Sequence, residues 1–221
     1  EIIVKTENTE IFGIYEPADS DFGLTMWSQT KAEDVRSSIT RIKKIKLSKV
    51  ATNLFEKTLF SFAYPPKGMS DKEFTDLKIE WMIDNKRSDL IEQFLNRNNT
   101  FYKKKKAIQY LVDENIAKAN IKKACEKISL ISADVKDSYL NQFKIICLIN
   151  ENKKNEAQLL IDLLREQKLS NKFFDSKINY ILGVSTKEDK KIDDSSLLNF
   201  YLSSITISDF KYKPKKKTDT K

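Results

Sequence analysis

From Thr30 onward the chain sets apolar residues at helical spacing between short polar breaks. Val35, Ile39 and Ile42 mark one face of a first helix, and Thr30 with Glu33 three residues on has the spacing of a capping box in front of it. Ser48 is placed to cap a second helix carrying Val50, Leu54, Phe55 and Leu59, which Pro65 and Pro66 cannot continue because they lack the N–H that a helix needs. Ser70 with Glu73 repeats the capping-box spacing and starts a third. Near the other end, Asn171 to Leu182 reads as a helix stopped by Gly183, and Ser195 to Ile205 as a closing helix with Leu197, Leu198, Tyr201 and Leu202 on its apolar side. Residues 1–29 break this rhythm. They open on the β-prone run EIIVK and continue irregularly, with Phe22, Met26 and Trp27 set to cover the first helices.

Three central stretches, WMIDNKRSDLIEQFL, YLVDENIAKANIKKAC and CLINENKKNEAQLLIDLL, share one layout of apolar stripe, polar turn and apolar stripe. Aligned on Asn85, Asn115 and Glu151, they place Leu77, Ala107 and Phe143 in one apolar slot and Trp81, Leu111 and Cys147 in the next, with Met82, Val112 and Leu148 beside them. Past the turn, Ile91, Ile121 and Ala157 align, then Phe94, Ala124 and Leu160, then Leu95, Cys125 and Ile161. Each stripe lies on one helix face, so the unit is a helical hairpin. In this alignment the turns stand 30 and 36 residues apart. The expected class is all-α, with about ten helices in antiparallel pairs.

The apolar slots, with Ala119 and Ala157 where a second helix wants a small residue, resemble tetratricopeptide-type repeats, whose period is ~34 residues. The order MWSQT, LFSFAYPP, KKAC, IICLINENKKNEAQ and LLREQ…FF is also similar to a group of uncharacterised bacterial helical-repeat proteins, over most of residues 24–182. The resemblance implies a right-handed α-solenoid of antiparallel helical hairpins with degenerate repeats of about 30–37 residues. The residue pattern along the chain places an irregular lead-in at 1–29, the helical-repeat domain at 30–207 and a basic, disordered tail at 208–221. Members of that bacterial group look exported, which points to the periplasm and leaves a cytoplasmic location open.

Composition sharpens this picture by exclusion. Only four Gly and four Pro stand in 221 residues, too few for the tight turns of a sandwich or barrel. There is no His, which removes the commonest general base, the commonest metal ligand and every His-containing triad. Isolated glycines form neither a phosphate loop nor a dinucleotide turn. No apolar run approaches the ~20 residues that span a bilayer, and no basic-plus-apolar leader opens the chain. The expectation is a non-catalytic chain without metal or cofactor. Carboxylate pairs such as Asp193 with Asp194 and Glu151 with Glu156 read as solvated helix faces.

The net charge of +8 invites a nucleic-acid reading, but six Lys and one Asp lie in the last eleven residues, leaving residues 1–210 at +3. Of the 40 basic residues 35 are Lys, whereas bidentate phosphate and guanine recognition favours Arg. The candidate contacts for an anionic partner are Lys103, Lys104, Lys105 and Lys106, with Lys215, Lys216 and Lys217. The two cysteines, Cys125 and Cys147, both fall in apolar slots. Three readings stand open for them: two buried thiols acting as small hydrophobes, a disulfide joining adjacent hairpins in an oxidising compartment, or a catalytic thiol that no His activates. A simple antiparallel register offsets the pair by about two helical turns, against the disulfide.

The leading functional expectation is a scaffold whose repeats present a groove to a protein or peptide, with Lys78, Glu80, Gln109 and Lys144 as candidate groove positions. The alternative is a nucleic-acid-binding helical array that uses the two lysine clusters.

Overall fold

A computed structural model describes residues 9–131 and 136–214. Among them are ten α-helices and no β-strand, so the fold is all-α. None of these helices is long and apolar enough to cross a membrane. The EIIVK run lies outside the described residues. The chain divides into two compact units, Glu1–Ala107 and Ile108–Lys221, and the division falls within the fifth helix.

The first unit holds α1 (Ala32–Ile42), α2 (Lys49–Phe60), α3 (Asp71–Asp84), α4 (Ser88–Arg97) and the start of α5 (Lys104–Ala117). Ser48 and Ser70 cap α2 and α3, accepting from the amides of Ala51 and Glu73. Thr30 does not cap α1. Its carbonyl accepts from Lys67 N and Lys67 O accepts from Ala32 N, so this backbone is committed to a parallel bridge and the helix starts one residue late, after Lys31. In α2 the inward side is Glu56, Leu59 and Phe60, whereas Val50 and Leu54, expected on the apolar face, are exposed.

The lead-in is tied down by its backbone. Ile14 N donates to Phe60 O at 2.7 Å and Phe62 N to Tyr15 O at 3.0 Å, which brings the two segments together at Gly13. A Cβ at position 13 would stand 2.6 Å from Phe62 N and 2.9 Å from Phe60 O, so only glycine fits. The buried Asn98 side chain completes the join: its Nδ2 donates to Gly13 O at 2.9 Å and to Phe94 O at 2.7 Å, and its Oδ1 accepts from Gly13 N at 3.4 Å. Replacing Asn98 by alanine strands these backbone groups away from water, and urea denaturation is expected to register a loss of about 2 kcal/mol. Below the join, Phe60 meets Trp81 at a ring-centroid distance of 5.6 Å and Phe94 meets Phe101 at 5.0 Å, both edge to face.

The second unit continues with α6 (Ile121–Ile128), α7 (Ser138–Asn150), α8 (Lys154–Glu166), α9 (Lys172–Ile181) and α10 (Leu197–Thr206). Helix α7 packs against both α6 and α8, and α9 against α10. Side-chain caps are supplied by Asn120, Asp137, Asn171 and Ser196.

One turn recurs. Lys86, Ala119 and Asn152 have left-handed φ of 54°, 54° and 60°, at 33-residue intervals. After each, the next amide reaches back five residues: Arg87 N to Met82 O, Asn120 N to Asn115 O, and Lys153 N to Leu148 O, at 2.8–2.9 Å. A shorter bond runs inside each, from Lys86 N to Ile83 O, Ala119 N to Ile116 O and Asn152 N to Ile149 O. This pair of bonds is the Schellman closure of a helix C-terminus. The central alignment therefore needs correction, because Asn115 is still inside α5 and the second turn comes three residues later than expected. The corrected slots are buried in all three copies: Phe74, Ala107 and Leu140; Ile79, Val112 and Ile145; Ile91, Ala124 and Ala157; Leu95, Ile128 and Ile161. Ala119 belongs to the turn, and Ala124 is the small residue of the second helix.

Candidate functional site

Helix α6 has only eight residues and buries just Ala124 and Ile128, so most of its surface is left over. Ile121, Lys122, Cys125, Glu126 and Ser129 follow one another along one side of it. Together with Cys147, Asn150 and Glu151 at the end of α7, they line a cleft of about 650 Å³. That volume lies within the range of small-ligand and peptide-anchor sites.

The two cysteines form the floor of this cleft. Their sulfurs are 2.08 Å apart and their Cα atoms 5.5 Å, a disulfide between α6 and α7. The offset that a tight antiparallel turn would impose is absent. Cys125 stands three residues before the end of α6 and Cys147 nine residues after the start of α7, a difference of six residues or about 9 Å of helix. Nine residues connect the two helices, chain enough to cover that distance.

Charge around the cleft is mixed. Lys122, Glu126 and Glu151 all line it, and Glu151 pairs with Lys153 at 2.7 Å. Asn150 also bonds the Tyr201 hydroxyl, which ties the cleft wall to α10. The lining offers an apolar part in Ile121 and the cysteines, one cation, two carboxylates, a hydroxyl and an amide, a set suited to holding a polar chain with an apolar anchor.

The other candidate positions fall in both units, Lys78 and Glu80 in the first, Gln109 and Lys144 in the second. Lys78 is not a groove residue: it is 1% exposed. Its Nζ donates to Phe12 O at 2.6 Å and Ser61 O at 3.4 Å and stands 4.4 Å from the centre of the Phe74 ring. The lead-in crosses this side of α3, where the sequence pattern leaves an open face. Burial lowers the Lys78 pKa to about 7. Glu80 is half-buried and pairs with Lys103 and Lys106. Gln109 bonds Asp113, and Lys144 is half-buried on α7.

The lysine run is largely compensated within its own unit. Lys103 pairs with Asp76 and Glu80, Lys106 with Glu80, and Lys104 donates to Asn99 O at 2.6 Å, leaving Lys105 exposed without an ion pair among the described residues. Lys215, Lys216 and Lys217 lie outside the described residues. The carboxylate pairs serve local structure: Asp193 accepts from Ser195 N and from Asn199 ahead of α10.

Two buried polar arrangements have no simple signal in the sequence. Tyr139 on α7 donates to the Asp113 carboxylate on α5, and burial raises the pKa of both groups. Lys177 is enclosed in α9 and donates to Asp189 O at 2.5 Å, with its pKa lowered by burial. Each polar residue falls at helical spacing among apolar ones, and that interruption is the only trace it leaves in the sequence. In comparisons with known proteins, no family model matches the chain, and no curated protein or solved structure matches it either.

Proposed function

We propose that this chain is a non-catalytic interaction module, a right-handed α-solenoid of tetratricopeptide-like antiparallel hairpins that holds a protein or peptide partner at the α6–α7 cleft. The observation that carries this reading is the recurrence of one Schellman turn at Lys86, Ala119 and Asn152 with buried slots in matching positions. Stacked hairpins of this kind leave a surface along one side, and the cleft supplies a polar, apolar-floored stretch of it. Because the cysteines are joined and the sequence has no His, the cleft offers neither a free thiol nor an imidazole. The Cys125–Cys147 bridge supports an oxidising compartment, in keeping with the periplasmic expectation. The internal pairing of Lys103 and Lys106 favours this reading over a nucleic-acid-binding array.

A photo-reactive residue in place of Glu126 is expected to cross-link one discrete protein in the native host, and Glu151→Lys to abolish that cross-link. The same residue in place of Lys187, outside the cleft, is expected to give none. Cross-links of equal yield at both positions, or recovery of RNA instead of protein, would overturn the proposal.

A further inference from the structure

The exposed residues of α2 do not belong to the cleft or to the core. Ile45, in the connection before α2, is 59% exposed. Val50 and Leu54, one turn apart on α2, are 80% and 61% exposed. Aliphatic side chains this open, following one another over ten residues, form a surface feature rather than scattered single exposures.

They sit in a strongly basic part of the described chain. Residues 41–57 contain Arg41, Lys43, Lys44, Lys46, Lys49 and Lys57, against the single acid Glu56. Glu56 is buried and paired with Arg87, so it does not offset the lysines. Lys43 pairs with Asp84 across to α3 at 2.5 Å. Lys44, Lys46, Lys49 and Lys57 are exposed and have no ion pair among the described residues. Unpaired positive charge is therefore interleaved here with exposed aliphatics: Lys44, Ile45, Lys46, then Lys49, Val50, and Leu54 followed by Lys57.

We propose that the α1–α2 connection and the first three turns of α2 dock on an anionic lipid bilayer. Ile45, Val50 and Leu54 enter the headgroup region, and Lys44, Lys46, Lys49 and Lys57 meet lipid phosphates. Two properties select a bilayer over other anionic partners. Nucleic acid rewards the lysines but gives nothing for three open aliphatics, and it favours Arg where phosphate is gripped in two-point fashion. A peptide partner needs a concavity, whereas these residues project from a loop and a helix face and line neither the α6–α7 cleft nor the smaller cavity beside Phe12 and Phe101. A planar, anionic and apolar-below-the-surface partner matches a projecting surface that is basic and aliphatic together.

The test is sedimentation of the full chain with vesicles of phosphatidylglycerol and phosphatidylcholine, and with phosphatidylcholine alone. Binding is expected only to the anionic vesicles. The triple variant Ile45→Ser, Val50→Ser, Leu54→Ser is expected to weaken it at least ~10-fold. Lys44→Gln, Lys46→Gln and Lys49→Gln are expected to weaken it about fivefold each. All six side chains are exposed, so circular dichroism is expected to show unchanged folding. Lys215, Lys216 and Lys217 are present in every variant, which separates their contribution. Three outcomes would each overturn the proposal: no binding to anionic vesicles, full binding by the serine triple variant, or binding to single-stranded RNA or polyglutamate in place of vesicles.

Discussion

Between pH 7 and pH 9 the protein is expected to gain about 2 kcal/mol of stability that a Lys78→Met variant does not gain. In the unfolded chain a lysine titrates at its ordinary value of 10.5, whereas enclosure lowers Lys78 to about 7 in the fold. Below pH 7 both states carry the proton and the full cost of burying an ammonium is present. Between the two values the unfolded chain holds a proton that the folded one has released, so stability rises with pH at up to 1.36 kcal/mol per unit, and levels off above ~10.5. Over the whole window this amounts to about 5 kcal/mol.

Among the described residues no carboxylate bonds or pairs with the amine; its partners are the Phe12 and Ser61 carbonyls and the Phe74 ring. Methionine is unbranched and only one atom shorter than lysine, and it removes the titrating group. Urea denaturation of both proteins at pH 7, 8 and 9 isolates the effect as the difference between two curves, since every other titrating group is shared. Parallel curves would mean that the Lys78 amine reaches water in solution, and that the lead-in does not enclose it.

That lysine also marks where the sequence stops being legible. On α3 it occupies a polar position at the right spacing for an outer face, and nothing local distinguishes it from Lys144, which remains half-exposed. What differs is the lead-in carbonyl of Phe12, 66 residues away in sequence, which arrives by backbone pairing around Gly13. Helix identity was readable because it is local: Ser48, Ser70 and Asn171 cap where their spacing says they do. Repeat register was not. A slip of three residues is nearly one helical turn, so an apolar stripe aligned three residues early still finds apolar partners. The cue that resolves it is the left-handed turn residue, and Lys86 and Ala119 give no hint of that conformation as Gly does. The same difficulty hides the outward side of α2, where Val50 and Leu54 belong to a helical stripe that faces away from the core. In the cleft, both cysteines were visible as members of apolar slots, but their approach depends on the relative slide of α6 and α7, which no spacing within either helix determines.

Removal of the bridge is the second large effect. Cys125 and Cys147 close a loop of 22 residues, for which the loss of unfolded-chain entropy corresponds to about 3 kcal/mol. The Cys125→Ala, Cys147→Ala double variant is expected to lose that amount in urea denaturation, and added reductant to lower the wild type equally while leaving the variant unchanged. The loss has a local reason to be felt. Helix α6 is two turns long and buries only Ala124 and Ile128, so it is too short to persist on propensity alone and depends on its anchorage to α7. Opening the bridge frees the side of α6 that carries Ile121, Lys122 and Glu126, and with it one wall of the cleft. The cross-link expected from position 126 should therefore fall in the double variant along with stability, whereas vesicle binding through α2 should not change. Intact-mass measurement of unfolded, unreduced protein from the native host decides whether the bridge exists in the cell. Resistance of both thiols to alkylation until reduction supports it, and free alkylation of both would reassign the pair to core packing and remove the case for an oxidising compartment.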